Sequence, residues 1–279
     1  MRRIFKIDVN DGISITFLRL FPDEEYEALA GPMRIESFHR TNIQMRGIVL
    51  KNGQELEDFL VDIKQNWKSY EQEGQQHLIE ANRLLLNLLS SFTTFIDHCK
   101  KQYSIHLNEL RQDFEQRDRN YFDEYFEYRF FKQMRNIISH IAFPLSKTRI
   151  DKDGLHIIMQ KKELLKFDWK RVVSKDVEEF EEEIDILPMI PNFCQQVKSL
   201  SFDVMYDYKE KIMEAWEAYQ KVAFEVQGEF GFSDVGSLEE LSELDKFRIQ
   251  PFSISQIYNA IQDLNEHPKI NIKISWKSK

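Results

Sequence analysis

Apolar residues recur at helical spacing along several long stretches of this chain and alternate with polar ones along a few short stretches. Over residues 75–103, Leu78, Leu85, Phe92 and Cys99 repeat every seven residues, as do Ala81, Leu88 and Phe95. That period predicts a long helix packed against others in a bundle. Phe193, Val197, Leu200, Val204, Ile212, Trp216 and Tyr219 predict a second long helix to about residue 226, opened by Pro188 and Pro191. A third runs from about residue 119 to His140, ahead of Pro144, with Phe126, Phe130, Phe131, Met134, Ile137, Ile138 and Ile141 on one broad stripe. At about 100° per residue, Arg129, Gln133, Asn136 and His140 fall together on the opposite face, presented to solvent or to a partner. Shorter helices are expected over 56–70, from Lys161, from Ser174, and from Ser253 or Ser255 to Asn265; residues 105–117 form a short polar helix or a connection.

Strand signals gather at the two ends and after Pro144. Ile4, Val9, Ile13, Ile15, Phe17 and Leu18 surround an Asn10-Asp11-Gly12 turn, and Ile48-Val49-Leu50 precedes Asn52-Gly53, with Gly31-Pro32 breaking the segment between them. Thr148–Ile150 and Leu155–Met159 flank Asp151-Lys152-Asp153-Gly154, a hairpin signature. After the glycines at 228, 231 and 236, Ser237-Leu238-Glu239-Glu240 has capping-box spacing, and Ile270–Trp276 alternates like a terminal strand that pairs with the amino-terminal ones. The fold class expected is mainly α: a helical bundle with a β-hairpin insertion and a small β-containing element drawn from both termini. Its parts are a β-containing element over 1–54, the bundle over 55–228 with the hairpin at 147–160, and a small α/β element over 229–279.

Composition narrows the function classes. The chain of 279 residues has 42% hydrophobic and 30% charged residues and a formal net charge of −9, which argues against nonspecific adhesion of its whole surface to nucleic acid. Cys99 and Cys194 are its only cysteines, so neither a disulfide framework nor a cysteine zinc cluster is expected, and a cytoplasmic location fits. Arg19 interrupts the apolar run near the start and Asn87 the one at Leu84–Leu89, so neither a signal peptide nor a membrane span is expected. No GxxxxGK[ST], GxGxxG or HExxH occurs, and the seven histidines form no ligand pair at metal spacing on one helix. No metal and no cofactor are expected. The acidic run from Asp176 to Asp185 reads as a solvated helix face.

What remains is Arg135-Asn136-Ile137-Ile138-Ser139-His140 at the end of the aromatic-rich helix. The pattern of Arg, a polar residue, three more and His near the end of a bundle helix resembles the signature of the HEPN superfamily. The following Phe143-Pro144-Leu145, the aromatic helix before it and the upstream ANRLLLNLLSSFTTFIDH reinforce the resemblance, which covers roughly residues 75–225 in organisation. Arg34 to His39 also satisfies R-x4-H, but it reads as a chance match in an irregular element and lacks the polar residue after the arginine. The resemblance implies metal-independent RNA cleavage by attack of the ribose 2′-OH on the adjacent phosphate, at a composite site of a homodimer. His140, with a reference pKa of ~6.5, would exchange the proton. Arg135 would hold the charge that accumulates on the phosphate. Asn136, one turn before His140, would orient the imidazole or contact a phosphate.

Arg135 and His140 stand about 140° apart around an ideal helix, so either the helix unwinds near Pro144 or two motifs meet across a two-fold axis, as in the family. Arg129, Lys132, Tyr128, Ser139, Lys147 and Arg149 are the expected substrate contacts. Tyr128 is the aromatic most suited to stack on a base, and Lys147 and Arg149 open a locally basic stretch reaching Arg171. The partners expected are RNA, a second copy of the chain, and an antitoxin or defence partner. Where some toxin members carry a Tyr that antitoxins modify, this chain has Ala142. The alternative is a noncatalytic helical module that binds RNA or a nucleotide, or that dimerises, through the same residues.

Overall fold

The computed structural model of the chain describes residues 2–8, 14–70, 75–140, 143–226, 229–233, 250–252 and 254–273; for some of these, Ser139 and His140 among them, it describes the backbone alone. Two strands, β1 (Arg2–Asp8) and β2 (Ser14–Phe21), lead into α1 (Asp23–Gln65) and the single turn α2 (Trp67–Tyr70). Next come α3 (Gln76–His106), a 3-10 turn at Asn108–Leu110, α4 (Arg111–Glu124) and α5 (Phe126–His140). Then β3 (Lys147–Asp151), β4 (Gly154–Gln160), α6 (Lys161–Leu164), α7 (Arg171–Glu179) and β5 (Glu183–Asp185) follow. The long α8 (Met189–Val226), β6 (Glu229–Ser233), β7 (Gln250–Phe252) and α9 (Ile254–Leu264) complete the described elements. The fold is mainly helical with small antiparallel sheets, as the periodicity predicts. No helix among the described residues is long and apolar enough to cross a membrane.

The chain divides into two compact units, residues 42–204 and residues 1–41 together with 205–279. In the first, the aromatic rings of three helices interlock. Phe92 of α3 lies edge-on to Tyr128 of α5 and to Phe193 of α8, with centroids 5.2 and 5.0 Å apart, and Phe131 packs on Phe193 at 4.8 Å. All four rings are buried, and truncating one to alanine would cost about 3–5 kcal/mol in transfer and cavity energy. α1 joins this core at Gly53. A Cβ there would lie 2.3 Å from Sγ of Cys194, so any larger residue would force that side chain of α8 to move.

α1 departs from expectation. Residues 23–54 carry no strand, and one 43-residue helix runs through Gly31-Pro32 and through Ile48-Val49-Leu50. Its buried positions recur every three or four residues, at Ile35, Phe38, Asn42, Arg46, Val49, Gly53, Leu56, Leu60 and Ile63. The stripe is hard to see in the sequence because Asn42, Arg46 and Gly53 interrupt it with non-hydrophobic side chains. Burial of the stripe offsets the roughly 3 kcal/mol that an interior proline costs a helix.

The hairpin of β3 and β4 forms where expected, and β5 adds to its other edge in the order β3-β4-β5. Gly154 makes the turn at φ +124°, a conformation that L side chains rarely adopt, and a Cβ there would meet the Lys64 carbonyl at 1.9 Å. The acidic stretch read as one helix face is instead split between α7 and β5, and Asp176, Glu183 and Asp185 take specific partners.

In the other unit β1 lies between β2 and β6 in an antiparallel sheet of order β2-β1-β6-β7. Among the described residues the carboxy-terminal contribution is therefore β6, which pairs with β1, and β7 beyond it. Residues 270–273 carry no strand, because the Asn265 amide binds both backbone groups of Ile272, at 2.7 and 3.0 Å, where a strand would need them for a neighbour. The Asn10-Asp11-Gly12 turn, Ala142, the Ser237 capping box and residues 274–276 lie outside the described residues.

Candidate functional site

The candidate motif lies at the end of α5, and the break before that helix positions it. One continuous helix was expected from residue 119. Tyr125 instead adopts extended backbone (φ −104°, ψ 119°), so α4 ends at Glu124 and α5 begins as a separate helix. The new helix buries Phe130, Phe131, Met134, Ile137 and Ile138 of the stripe predicted from spacing; Phe126 is half-buried, and Ile141 lies outside the described residues. α5 keeps helical backbone through residue 140, so positions 135 and 140 stay about 140° apart within one chain.

The polar residues of α5 divide into two groups. Arg129 is held by Asp176 of α7 in a bidentate pair, Nε to Oδ2 at 2.6 Å and Nη2 to Oδ1 at 3.0 Å, and also donates to the Asp123 carbonyl. Hydrogen bonding to Asp176 raises its already high pKa. Lys132 donates to Asp118 of α4, which also accepts from the Tyr128 hydroxyl at 2.7 Å. Burial pushes the Lys132 pKa down, against the pull of Asp118. Burial, and then the neighbouring Asp118 charge, push the Tyr128 phenol well above its usual range.

One turn further on the setting changes. Arg135 is half-buried, its guanidinium 3.5 Å from Oδ1 of the exposed Asn136, and among the described residues it has no carboxylate partner. The side chains of Ser139 and His140 lie outside the described residues.

The expected substrate contacts fare differently. Tyr128 is no stacking platform: its ring is fully buried among Phe92, Tyr121 and the stem of Lys132, and its hydroxyl is spent on Asp118. Lys147 and Arg149 do not line an open basic groove, since both pair with Glu183 of β5, at 2.5 and 3.2 Å, and Arg149 also faces Asp151 at 3.4 Å. Further along that segment Lys166 pairs with Glu163 and Lys161 donates to the Phe180 carbonyl. The carboxylates that neutralise Lys147, Arg149 and Arg129 come from the acidic run 176–185, brought in by the sheet and by α7.

Two buried polar clusters went unread in the sequence. Asp118 is one. His156 is the other, enclosed between Asp185 at 3.1 Å and Asp151 at 3.2 Å where it ties the hairpin to β5. No local pattern marks either, because the partners are brought together from different elements. Comparison of the chain with protein-family models, with curated proteins and with solved structures finds no match in any of the three.

Proposed function

We propose that the protein is a metal-independent endoribonuclease that cleaves RNA by 2′-OH attack at a composite site shared by two copies of the chain. The observation that carries this reading is the contrast along α5. Arg129 and Lys132 are neutralised within the chain, whereas Arg135, the arginine of the R-x4-H motif, has no carboxylate partner among the described residues and stands beside exposed Asn136. A guanidinium without an acidic partner is available to a phosphate, and its planar fork suits the charge of the transition state.

His140 serves as the proton-exchanging group and Asn136 orients it or the phosphate. The helical separation of positions 135 and 140 favours an arginine and a histidine from different copies over one chain acting alone. A defence or toxin role, with an antitoxin or other defence partner in the cytoplasm, follows from the resemblance alone.

The test is RNA cleavage in EDTA by wild type, Arg135→Ala and His140→Ala at matched dimer content. Wild type is expected to leave 2′,3′-cyclic phosphate and 5′-OH ends, and each variant to lose about 10²–10⁴ in rate. Mixing the two inactive variants distinguishes the composite site from a single-chain one. A random mixture of dimers that pair Arg135 of one copy with His140 of the other restores about a quarter of the sites, and a single-chain site restores none. Cleavage that persists in His140→Ala removes that residue from the chemistry. RNA or nucleotide binding by wild type without any cleavage leaves the noncatalytic binding module as the function.

A further inference from the structure

Two lysines from different elements pair with one buried carboxylate on the same side of α5 as Asn136, and a third shares an aromatic ring with one of them. Lys132 of α5 donates to Asp118, and Lys100 of α3 lies 3.7 Å from the other oxygen of that carboxylate. Lys170, at the start of α7, places its ammonium 4.8 Å from the centre of the Phe122 ring, and Lys132 lies 6.0 Å from the same ring. The charges of Lys100 and Lys170 both act on Lys132. Among the described residues, Asp118 is the one carboxylate that forms an ion pair with any of the three.

Two ammonium groups thus pair with one carboxylate whose side chain is 8% exposed and which already accepts from Tyr128, and a third ammonium stands against the same Phe122 ring as Lys132. A fold that needed only to neutralise Asp118 would need one lysine. Holding two further cations near a half-buried third costs Coulomb energy that grows as solvent is excluded, and an anion at the open side of the cluster would relieve it. Lys100 is 43% exposed on its side chain and Lys170 is exposed, so that side is accessible. Lys132 precedes Asn136 by four residues, about 6 Å along the helix axis. The cluster therefore lies beside the R-x4-H motif and not within it.

We propose that Lys100 and Lys132, paired with Asp118, and Lys170, beside the Phe122 ring, together bind a phosphate group of an RNA strand next to the one at Arg135. The assignment of that phosphate to RNA rests on the ribonuclease reading; the excess of positive charge does not. Lys132 is anchored by Asp118 and supplies the fixed point, while Lys100 and Lys170 are the adaptable cations that close on the ligand. Phe122 offers the face against which their stems, or a base, pack.

The experiment measures binding of a dye-labelled single-stranded 2′-O-methyl RNA, which lacks the attacking hydroxyl and is not cut, by fluorescence anisotropy across a salt series. Wild type is compared with Lys100→Gln/Lys170→Gln, and with Lys101→Gln/Lys162→Gln as a control pair of exposed lysines outside the cluster. Removing two of the lysines that hold this phosphate is expected to weaken binding at least about tenfold and to reduce the salt slope by about 0.7, with the control pair unchanged. Equal loss in both pairs, or in neither, overturns the site; if wild type still cleaves ordinary RNA, the ribonuclease reading survives that result.

Inorganic tripolyphosphate, followed by calorimetry, is the second probe. If it binds wild type and not Lys100→Gln/Lys170→Gln while the RNA binds neither, the phosphate site stands and the RNA reading falls. If neither probe binds wild type, or tripolyphosphate binds the cluster variant as tightly as wild type, the proposal is wrong.

Discussion

The chain contains the R-x4-H spacing twice, and the two copies meet different fates. Both lie on helices: Arg34 and His39 in α1, not in an irregular element, and Arg135 and His140 in α5. In α1 the pair is split between surface and core. The Arg34 side chain is 58% exposed and lies 3.6 Å from Glu27, while the His39 side chain is 2% exposed. His39 is satisfied on both ring nitrogens, by the Tyr208 hydroxyl at 2.9 Å and by Asp263 at 3.1 Å.

The physical reason for the split is the helical rotation of about 140° over five residues, which sends the two ends to different surroundings. Helical setting therefore does not distinguish a functional match from an accidental one. In α5 the residues between the ends, Ile137 and Ile138, face the core, and among the described residues Arg135 and Asn136 have no acidic partner. Under the proposed reading, a site built from such a helix takes its arginine and its histidine from two copies of the chain. A buried histidine with two partners needs no second copy, and α1 shows what the motif becomes when it serves only the fold.

The sharpest way to break this contrast is to exchange the expected losses. His140→Ala is expected to lower cleavage by about 10²–10⁴ with the melting temperature unchanged. His39→Ala is expected to leave cleavage per folded molecule unchanged and to lower stability by about 2–3 kcal/mol in denaturant titration, since two buried hydrogen bonds and their packing are lost. Loss of cleavage in a fully folded His39→Ala protein would make the first match functional as well.

Tyr128→Phe comes next in size. It removes one donor to Asp118 and leaves Lys132 in place, so it is expected to cost about 1 kcal/mol of stability and to leave RNA affinity within twofold. A large drop in affinity would return the ring to the binding surface.

Glu36 sharpens the comparison through pH, because it lies between Arg34 and His39. Burial raises its carboxyl pKa above the usual value, against the pull of Arg40 and His39. A carboxyl whose folded pKa is raised binds more protons folded than unfolded, so its contribution to stability is present below the unfolded pKa and is lost as pH rises through the folded one. Glu36→Gln is therefore expected to raise the melting temperature at neutral pH and to flatten the fall in stability above about pH 4.5. A variant with the same pH profile as wild type would show that the carboxyl is solvated. The smallest effect belongs to Arg34→Ala, expected within about 0.5 kcal/mol of wild type because an exposed ion pair contributes little. A larger loss would mean that Arg34 holds the fold.

The residues of α5 show how far local reading reaches. Its apolar stripe was legible because Phe130, Phe131, Met134, Ile137 and Ile138 follow the period of the helix itself, and all five are buried. The break at Tyr125 was not, because aromatic residues continue on both sides of it. Arg129, Lys147 and Arg149 read as phosphate contacts because a sequence displays charge and not partners. Their carboxylates at 176 and 183 are brought in by α7 and β5.

By itself, then, the sequence determined the long helices α3, α5 and α8, the hairpin turning at Gly154 and the mainly helical class, all of which rest on periodicity or on the conformation of single residues. Only the tertiary structure decided the unbroken α1, the pairing of β6 with β1, the burial of Tyr128, and, among the described residues, which cations of α5 have a carboxylate partner. Burial and ion pairing depend on residues far apart in the chain, whose free energies are settled only when the elements pack.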